Sequence, residues 1–118
     1  MKDYKKYLVW QKSHQLTLDV YKLSAKYPRE ETFNLVSQIK RSSSSIATNI
    51  AEGCGRKSDK DFSRFLYISF GSANELEYQM LLSKDLDFIS AEDYEKIQLQ
   101  TEEIKKMLSA LIKTLNVS

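Results

Sequence analysis

Few side chains in this sequence could carry out catalysis. There is one histidine, His14, and one cysteine, Cys54. A di-iron bundle needs a Glu-x-x-His motif on two helices, and here Gln11 stands three residues before the histidine. A structural zinc site needs four ligands, most often cysteine and histidine, which these two residues cannot supply. We therefore expect no metal and no other cofactor.

Nucleophilic catalysis has little support either. A Ser-His-Asp triad could form only around His14, and no Gly-x-Ser-x-Gly elbow accompanies it. Residues 53–58, Gly-Cys-Gly-Arg-Lys-Ser, resemble a phosphate-binding loop but lack the Walker spacing and a preceding strand. Cys54 lies between two glycines and could be an exposed reactive thiol, although a passive small residue is the commoner case. The sequence favours a protein that is not an enzyme.

A carboxylate site is the remaining enzymatic alternative. It would be built from Glu52, Glu75 and Glu77. Because residues two apart on a helix do not share a face, only one of Glu75 and Glu77 could act together with Glu52.

Basic residues point instead to an anionic partner. Residues 1–64 contain 13 Lys and Arg against 7 Asp and Glu, a charge of +6, whereas residues 65–118 contain 5 against 9, a charge of −4. Basic residues gather near the middle of the chain: Lys40, Arg41, Arg56, Lys57, Lys60 and Arg64. The last four flank glycines and a predicted helix start, where backbone N–H groups and positive charge together can hold a phosphate. The alternative is that the two halves neutralise each other within the fold.

Four amphipathic helices must position these side chains. Apolar residues recur at spacings of three and four over approximately residues 8–26, 30–52, 59–86 and 91–115. Long helices joined by short links favour an all-α, antiparallel up-down-up-down four-helix bundle, with a single domain over residues 1–118. No apolar run is long enough to span a membrane, and the charged N-terminal residues do not resemble a signal peptide. Together with the single cysteine, these features indicate a cytoplasmic protein.

Residues with capping roles mark the expected helix ends. Pro28 is expected to end the first helix, after which a pair of glutamates would lie in the first turn of the second. Gly53 and Gly55 are expected to end the second helix, since glycine tolerates the left-handed conformation. Ser58 and Ser90, each followed three residues later by an aspartate, predict the starts of the third and fourth helices.

Two helices carry more than the single apolar face that a bundle needs. The third helix has a second apolar stripe, about 120° around from its core stripe, formed by Tyr67, Phe70, Tyr78 and Leu81. Such a stripe indicates a subunit interface, with scattered surface aromatics as the alternative. The second helix has a polar stripe formed by Gln38, Ser42, Ser45, Asn49 and Glu52. Because Ser and Asn are mediocre helix formers, we expect packing or partner contact there rather than solvent.

Several motifs, in order along the chain, carry a family resemblance. They are Leu8-x-Trp10-Gln11-Lys12, Gln38-Ile39-Lys40-Arg41, Ser45-Ile46-x-x-Asn49-Ile50-Ala51-Glu52-Gly53, Arg56, Phe65-Leu66 and Gly71-Ser72-x-x-Glu75-x-Glu77. Together they resemble the bacterial four-helix-bundle family of 23S ribosomal RNA intervening-sequence proteins over almost the whole chain. That family is similar to the accessory variability protein of diversity-generating retroelements, which binds a reverse transcriptase and nucleic acid.

The resemblance implies a ring-like homopentamer of four-helix bundles with a basic surface and no enzymatic activity. Together with the charge distribution it favours a nucleic-acid-associated pentamer, in which the six basic residues contact phosphates of RNA or DNA independently of sequence. The alternative is a protein-interaction scaffold whose partner is a nucleic-acid-processing protein such as a polymerase. Departures from the family pattern are small, and they are the serines at 42 and 43, Thr48 and Cys54.

Overall fold

Four α-helices account for most of the chain. The structure, a computed structural model, describes residues 2–115. The helices are α1 (Leu8–Ser24), α2 (Leu35–Cys54), α3 (Asp59–Asp85) and α4 (Ala91–Thr114), and short 3₁₀ turns occupy Tyr4–Lys6 and Arg29–Glu31. Residues 2–115 contain no β-strand, so the all-α, four-helix prediction is confirmed. Over the same residues, no helix is both long enough and apolar enough to cross a membrane.

Serine hydroxyls define where α3 and α4 begin. Ser58 Oγ accepts a hydrogen bond from the backbone N–H of Asp61 at 3.1 Å, and Ser90 Oγ accepts one from that of Asp93 at 3.0 Å. Each bond satisfies a donor that the first helical turn would otherwise leave unpaired. The aspartates also place negative charge near the helix N-termini, where the helix dipole favours it. Both capping residues are those that the sequence predicted.

The second helix begins later than the sequence pattern indicated. We expected it near Glu30, but a 3₁₀ turn lies there and α2 begins at Leu35. Asn34 has φ −112° and ψ −105°, outside the helical region, and so separates the two elements. Glu31 Oε1 accepts a hydrogen bond from the backbone N–H of Leu35 at 3.3 Å, which satisfies one donor at the start of α2. The longer connection leaves Phe33 92% exposed.

The glycines near the end of α2 do not adopt the left-handed conformation. The helix continues through Gly53 to Cys54, and Gly55 has φ −85°. None of the three glycines, all of them within residues 2–115, has a positive φ. A Cβ added to Gly53 would lie 2.9 Å from Phe62 Cδ1 and 2.9 Å from Phe65 Cβ. The predicted left-handed stop is therefore wrong, and glycine is needed at 53 because α3 approaches it so closely.

The four helices enclose one apolar core. Each helix packs against the next along the chain, and α1 also packs against α4. The bundle measures 45 × 22 × 22 Å, which fits helices of up to 27 residues at about 1.5 Å per residue. Side chains with no exposed surface include Leu16, Ile39, Phe62, Leu76 and Ile104. Burying each of them contributes roughly 1.5–3 kcal/mol before the entropic cost of ordering is counted.

Hydroxyl groups occupy several positions inside this core. Ser13 Oγ and Thr101 Oγ1 each donate to the carbonyl oxygen four residues earlier, at 2.7 and 2.8 Å. Ser69 Oγ crosses from α3 and donates to Ile46 O in α2 at 2.8 Å. Because each of these buried hydroxyls has an acceptor, the desolvation cost of burying it is largely offset.

Candidate nucleic-acid interface

A group of basic side chains lies at one end of the bundle, and it comprises Arg56, Lys57, Lys60 and Arg64. We call it the basic cluster. Its members occupy the α2–α3 connection and the first two turns of α3, and all are exposed. They border an open cleft of about 1020 Å³, which is also lined by Gly55, Ser58, Asp61, Ser63, Tyr67 and Leu115. Since Leu115 follows α4, the cleft lies between the start of α3 and the end of α4.

Two members of the basic cluster, Arg56 and Arg64, share the same neighbours. The guanidinium carbon of each lies 4.6 Å from the centre of the Phe65 ring, and that residue is 5% exposed. Arg64 Nε donates to Asp61 Oδ1 at 3.0 Å, and Arg56 Nε lies 3.7 Å from Asp61 Oδ2. Cation–π contact and ion pairing together position both guanidinium groups at the cleft.

Acidic residues reduce the positive charge at this end of the bundle. Asp61 lies between the two arginines, and Asp59 forms an ion pair with Lys2 at 3.5 Å. Lys57 and Lys60 are exposed beside the same cleft. The four positive charges of the basic cluster and the one negative charge of Asp61 leave +3 around the cleft. A surface with this charge attracts a polyanion, though less strongly than the basic residues alone would.

Lys40 and Arg41 lie apart from the basic cluster. Arg41 lies 13 residues before Cys54, the last residue of α2, which corresponds to about 20 Å along the helix axis. Lys40 Nζ lies 5.0 Å from the centre of the Tyr21 ring and so makes a cation–π contact between α2 and α1. Arg41 is exposed. The six residues predicted to contact phosphates therefore form two groups and not one continuous patch.

The polar stripe of α2 lies mainly against α3. Ser42 Oγ donates to Gln79 Oε1 at 2.7 Å, and Ser45 Oγ shares a 2.9 Å hydrogen bond with Ser72 Oγ. Asn49 Nδ2 donates to Ser45 O at 2.8 Å. The residues at the two ends of the stripe are exposed, namely Gln38 and Glu52. The middle of the stripe thus joins two helices, and at one end Gln38 Oε1 also accepts a hydrogen bond from Gln79 Nε2 at 3.5 Å.

The second apolar stripe of α3 lies on the outer surface of the bundle. Tyr67 and Tyr78 are each 62% exposed, and Leu81 is 38% exposed. Phe70 is half-buried, and Lys105 Nζ lies 5.5 Å from the centre of its ring. Three of the four residues therefore expose apolar surface. Tyr67 also lines the cleft, so the stripe and the basic cluster adjoin each other.

The side chains with potential chemical reactivity do not form a site. His14 is exposed and stacks on Trp10, with ring centres 5.2 Å apart. Cys54 is 1% exposed, and burial raises the pKa of its thiol, an effect that the nearby Lys2 opposes. A raised pKa disfavours the thiolate that nucleophilic chemistry requires. Within residues 2–115, no three His, Cys, Asp or Glu side chains are grouped so that they could hold a metal ion.

The glutamates of the carboxylate alternative make separate contacts. Glu77 Oε2 lies 3.3 Å from Lys105 Nζ, in an ion pair between α3 and α4. Glu75 Oε2 accepts a hydrogen bond from Gln79 Nε2 at 3.3 Å. Glu52 is exposed near the end of α2. These contacts give no shared carboxylate site.

Sequence reasoning missed two residues that organise the basic cluster, Asp61 and Phe65. One local signal for Asp61 exists, because Asp61 and Arg64 are three apart on a helix and such residues can form an ion pair. The contacts of Arg56 with both residues cross the turn between α2 and α3. No spacing rule within a single helix reveals contacts of that kind.

Two comparisons relate the chain to other proteins. The model of a family described as 23S rRNA-intervening sequence protein matches residues 5–110. A crystal structure of a protein of unknown function from the S23 ribosomal protein family of Bacteroides thetaiotaomicron is also similar, with 34% sequence identity and a TM-score of 0.84. That similarity covers 90% of this chain and 99% of the other. No curated protein matches the chain.

Proposed function

Because the chain belongs to the 23S rRNA-intervening sequence protein family, we propose that it associates with nucleic acid, as an oligomer and without catalysis. The observation that carries the proposal is the basic cluster around one open cleft. The similar crystal structure comes from a protein of unknown function, so it supports the fold and adds no activity. The family name supports an association with ribosomal RNA or with its gene.

The proposed contacts are to phosphate groups and do not depend on sequence. Lys57 and Lys60 are exposed beside the cleft and can each approach a phosphate oxygen. Each phosphate that a basic residue neutralises releases counterions, which favours binding most at low salt. Lys40 and Arg41 would add contacts for a nucleic acid that extends about 20 Å along α2.

The proposal includes an antiparallel, up-down-up-down order of the helices. Two ion pairs with α4 support it, since Lys12 in α1 pairs with Glu103 whereas Lys26, two residues beyond the end of α1, pairs with Asp93, both at 2.9 Å. A higher number on one helix thus meets a lower number on the other, as antiparallel helices require. Hydrogen bonds between α2 and α3 follow the same rule.

The proposal also includes assembly into a homo-oligomer. Its support is the exposed apolar surface of Tyr67, Tyr78 and Leu81 on a single helix. Apolar patches of this kind commonly mark protein interfaces. The ring-like homopentamer is the form that the family resemblance implies. A cytoplasmic location is proposed from the lone free thiol of Cys54, which suits a reducing compartment.

Equilibrium binding to single-stranded RNA and DNA tests the nucleic-acid proposal. We expect wild-type protein to bind both at about 50 mM salt and to lose affinity as the salt concentration rises. The double substitution Lys57→Gln/Lys60→Gln should weaken binding at low salt. Lys96→Gln/Lys106→Gln removes two exposed lysines from α4 and serves as the matched control. If the control weakens binding as much as the test variant, the assignment of binding to the basic cluster is wrong.

A protein partner is the second candidate, and the exposed tyrosines of α3 favour it. In that case the protein would be a scaffold or an accessory subunit of a nucleic-acid enzyme such as a reverse transcriptase. Affinity capture after nuclease treatment separates the two candidates. Recovery of one protein in a fixed ratio after nuclease treatment, combined with no binding of free RNA or DNA, would replace the first proposal with the second.

A further inference from the structure

The carboxylate of Asp61 contacts both arginines of the basic cluster. One oxygen accepts a hydrogen bond from Arg64 Nε at 3.0 Å, and the other lies 3.7 Å from Arg56 Nε. Carboxylate and phosphate oxygens are bound by guanidinium groups through the same planar set of N–H donors. Asp61 and a phosphate would therefore compete for the same two side chains.

The aromatic ring beneath the arginines gives both of them a contact that does not involve Asp61. Both guanidinium carbons lie 4.6 Å from the centre of the Phe65 ring, and Phe65 is 5% exposed. A buried ring provides a fixed surface, so the arginines keep a favourable position when the carboxylate no longer contacts them. Side chains that are already positioned lose less entropy when a ligand binds.

The contacts that Asp61 makes are open to exchange with solvent ions. Its side chain is 35% exposed, and those of Arg56 and Arg64 are 44% and 59% exposed. Ion pairs with this much exposure are weak and are screened by salt. A phosphate that approaches through the open cleft can therefore displace the carboxylate without breaking the packing of the bundle.

We propose that Asp61 is a built-in competitor of nucleic acid: it pairs with Arg56 and Arg64 in the free protein and releases them to a phosphodiester group. The inference rests on the proposed function, because it takes the basic cluster to be the surface that contacts nucleic acid. Its consequence is that the wild-type protein binds more weakly than its arginines allow.

Asp59 provides a matched control for Asp61. Both aspartates lie in the first turn of α3, so removing either one changes the net charge and the helix N-terminus in the same way. Asp59 contacts Lys2 instead of the arginines. Because residues two apart on a helix point to different sides, the loss of Asp59 leaves Arg56 and Arg64 paired with Asp61.

The test compares wild type, Asp61→Asn and Asp59→Asn in fluorescence anisotropy with one single-stranded RNA oligonucleotide at fixed salt. Removing a unit charge about 4 Å from a phosphate in water should tighten binding roughly fivefold in Asp61→Asn. Asp59→Asn should stay within about twofold of wild type, since its charge lies farther from the phosphate and is screened. Equal tightening in both variants would mean that only net charge matters. Weaker binding by Asp61→Asn would mean that the aspartate positions the arginines. Either result overturns the inference.

A second measurement keeps this inference separate from the proposed function. If none of the three proteins binds RNA, the proposed function fails, and competition is then tested with inorganic phosphate. NMR resonances of the Arg56 and Arg64 side-chain N–H groups would be followed during the titration. Larger phosphate-induced changes in Asp61→Asn than in wild type support competition, and identical changes refute it. Asp61→Ser replaces Asp61→Asn if the asparagine variant does not fold.

Discussion

At the residue scale, Tyr27 links the stability of the fold to pH. It is 8% exposed, and its hydroxyl donates to Ser83 Oγ at 2.7 Å. Burial raises the pKa of Tyr27 above its ordinary value of 10.0, and the hydrogen bond to Ser83 opposes part of that rise. Burial likewise raises the pKa of Cys54 above 9.0. In the fold, both groups hold their protons at pH values where the unfolded chain has lost them.

The sign of the resulting pH dependence follows from proton linkage. The stability contributed by a group with a raised pKa is fully present below its unfolded pKa and is lost as pH rises through the folded value. We therefore expect the midpoint of urea unfolding to be constant from about pH 7 to 8.5 and to fall above about pH 9.

Tyr27→Phe should lower the free energy of unfolding by about 0.5–1.5 kcal/mol at neutral pH, because its hydrogen bond to Ser83 is missing. It should also show a shallower decline at high pH, and a decline as steep as that of wild type would exclude Tyr27 as a cause.

At the scale of the elements, the contact between α2 and α3 depends on Gly53. A Cβ there would lie 2.9 Å from Phe62 Cδ1 and from Phe65 Cβ, so Gly53→Ala must displace α3 or its aromatic side chains. Overpacking of this kind costs about 1–3 kcal/mol, against a gain of about 1 kcal/mol from the helix propensity of alanine. We expect a net loss of up to about 2 kcal/mol in the free energy of unfolding, measured by urea denaturation.

Gly71 offers the matched control for this prediction. It lies inside α3, and a Cβ added there would have no neighbouring atom within 4 Å. Gly71→Ala should therefore raise the free energy of unfolding by about 0.5–1 kcal/mol through propensity alone. If both substitutions raise stability equally, the close approach of α3 to Gly53 is contradicted.

Those elements that depend on local signals could be predicted from the sequence. The apolar spacing indicated four helices, and Ser58 and Ser90 marked the starts of α3 and α4, because caps and periodicity act within a few residues. The start of α2 could not be found in this way, since it depends on the backbone of Asn34. Gly53 was assigned the wrong role because its packing depends on α3, which follows later in the chain.

Part of the candidate site could likewise be predicted from the sequence, and part of it depends on tertiary structure. The exposed lysines and arginines of the basic cluster could be named from composition and spacing alone. That they lie apart from Lys40 and Arg41 became known only from the structure, which places the α2–α3 connection at the end of the bundle. The pairing of Arg56 with Asp61 across that connection depends on tertiary structure, which a count of charges does not contain.

At the scale of the whole molecule, the exposed apolar stripe of α3 predicts that the protein forms an oligomer. Light scattering should give a mass of at least two 13.7 kDa chains. Tyr78→Glu would bury a charge at the proposed interface, so we expect it to dissociate the oligomer toward the monomer. Leu99→Glu is the control, because Leu99 is 61% exposed on α4 and lies outside the stripe. A monomeric wild-type protein would contradict the interface.

The central claim is that the basic cluster binds nucleic acid through phosphate contacts, and the salt dependence of RNA binding tests it most directly. For single-stranded RNA, a plot of log affinity against log salt concentration should have a negative slope of about 0.7 per phosphate contact. Lys57→Gln/Lys60→Gln should reduce the magnitude of that slope by about 1.4, whereas Lys96→Gln/Lys106→Gln should leave it unchanged. Binding that does not respond to salt, or a slope that the first variant leaves unchanged, would contradict the account.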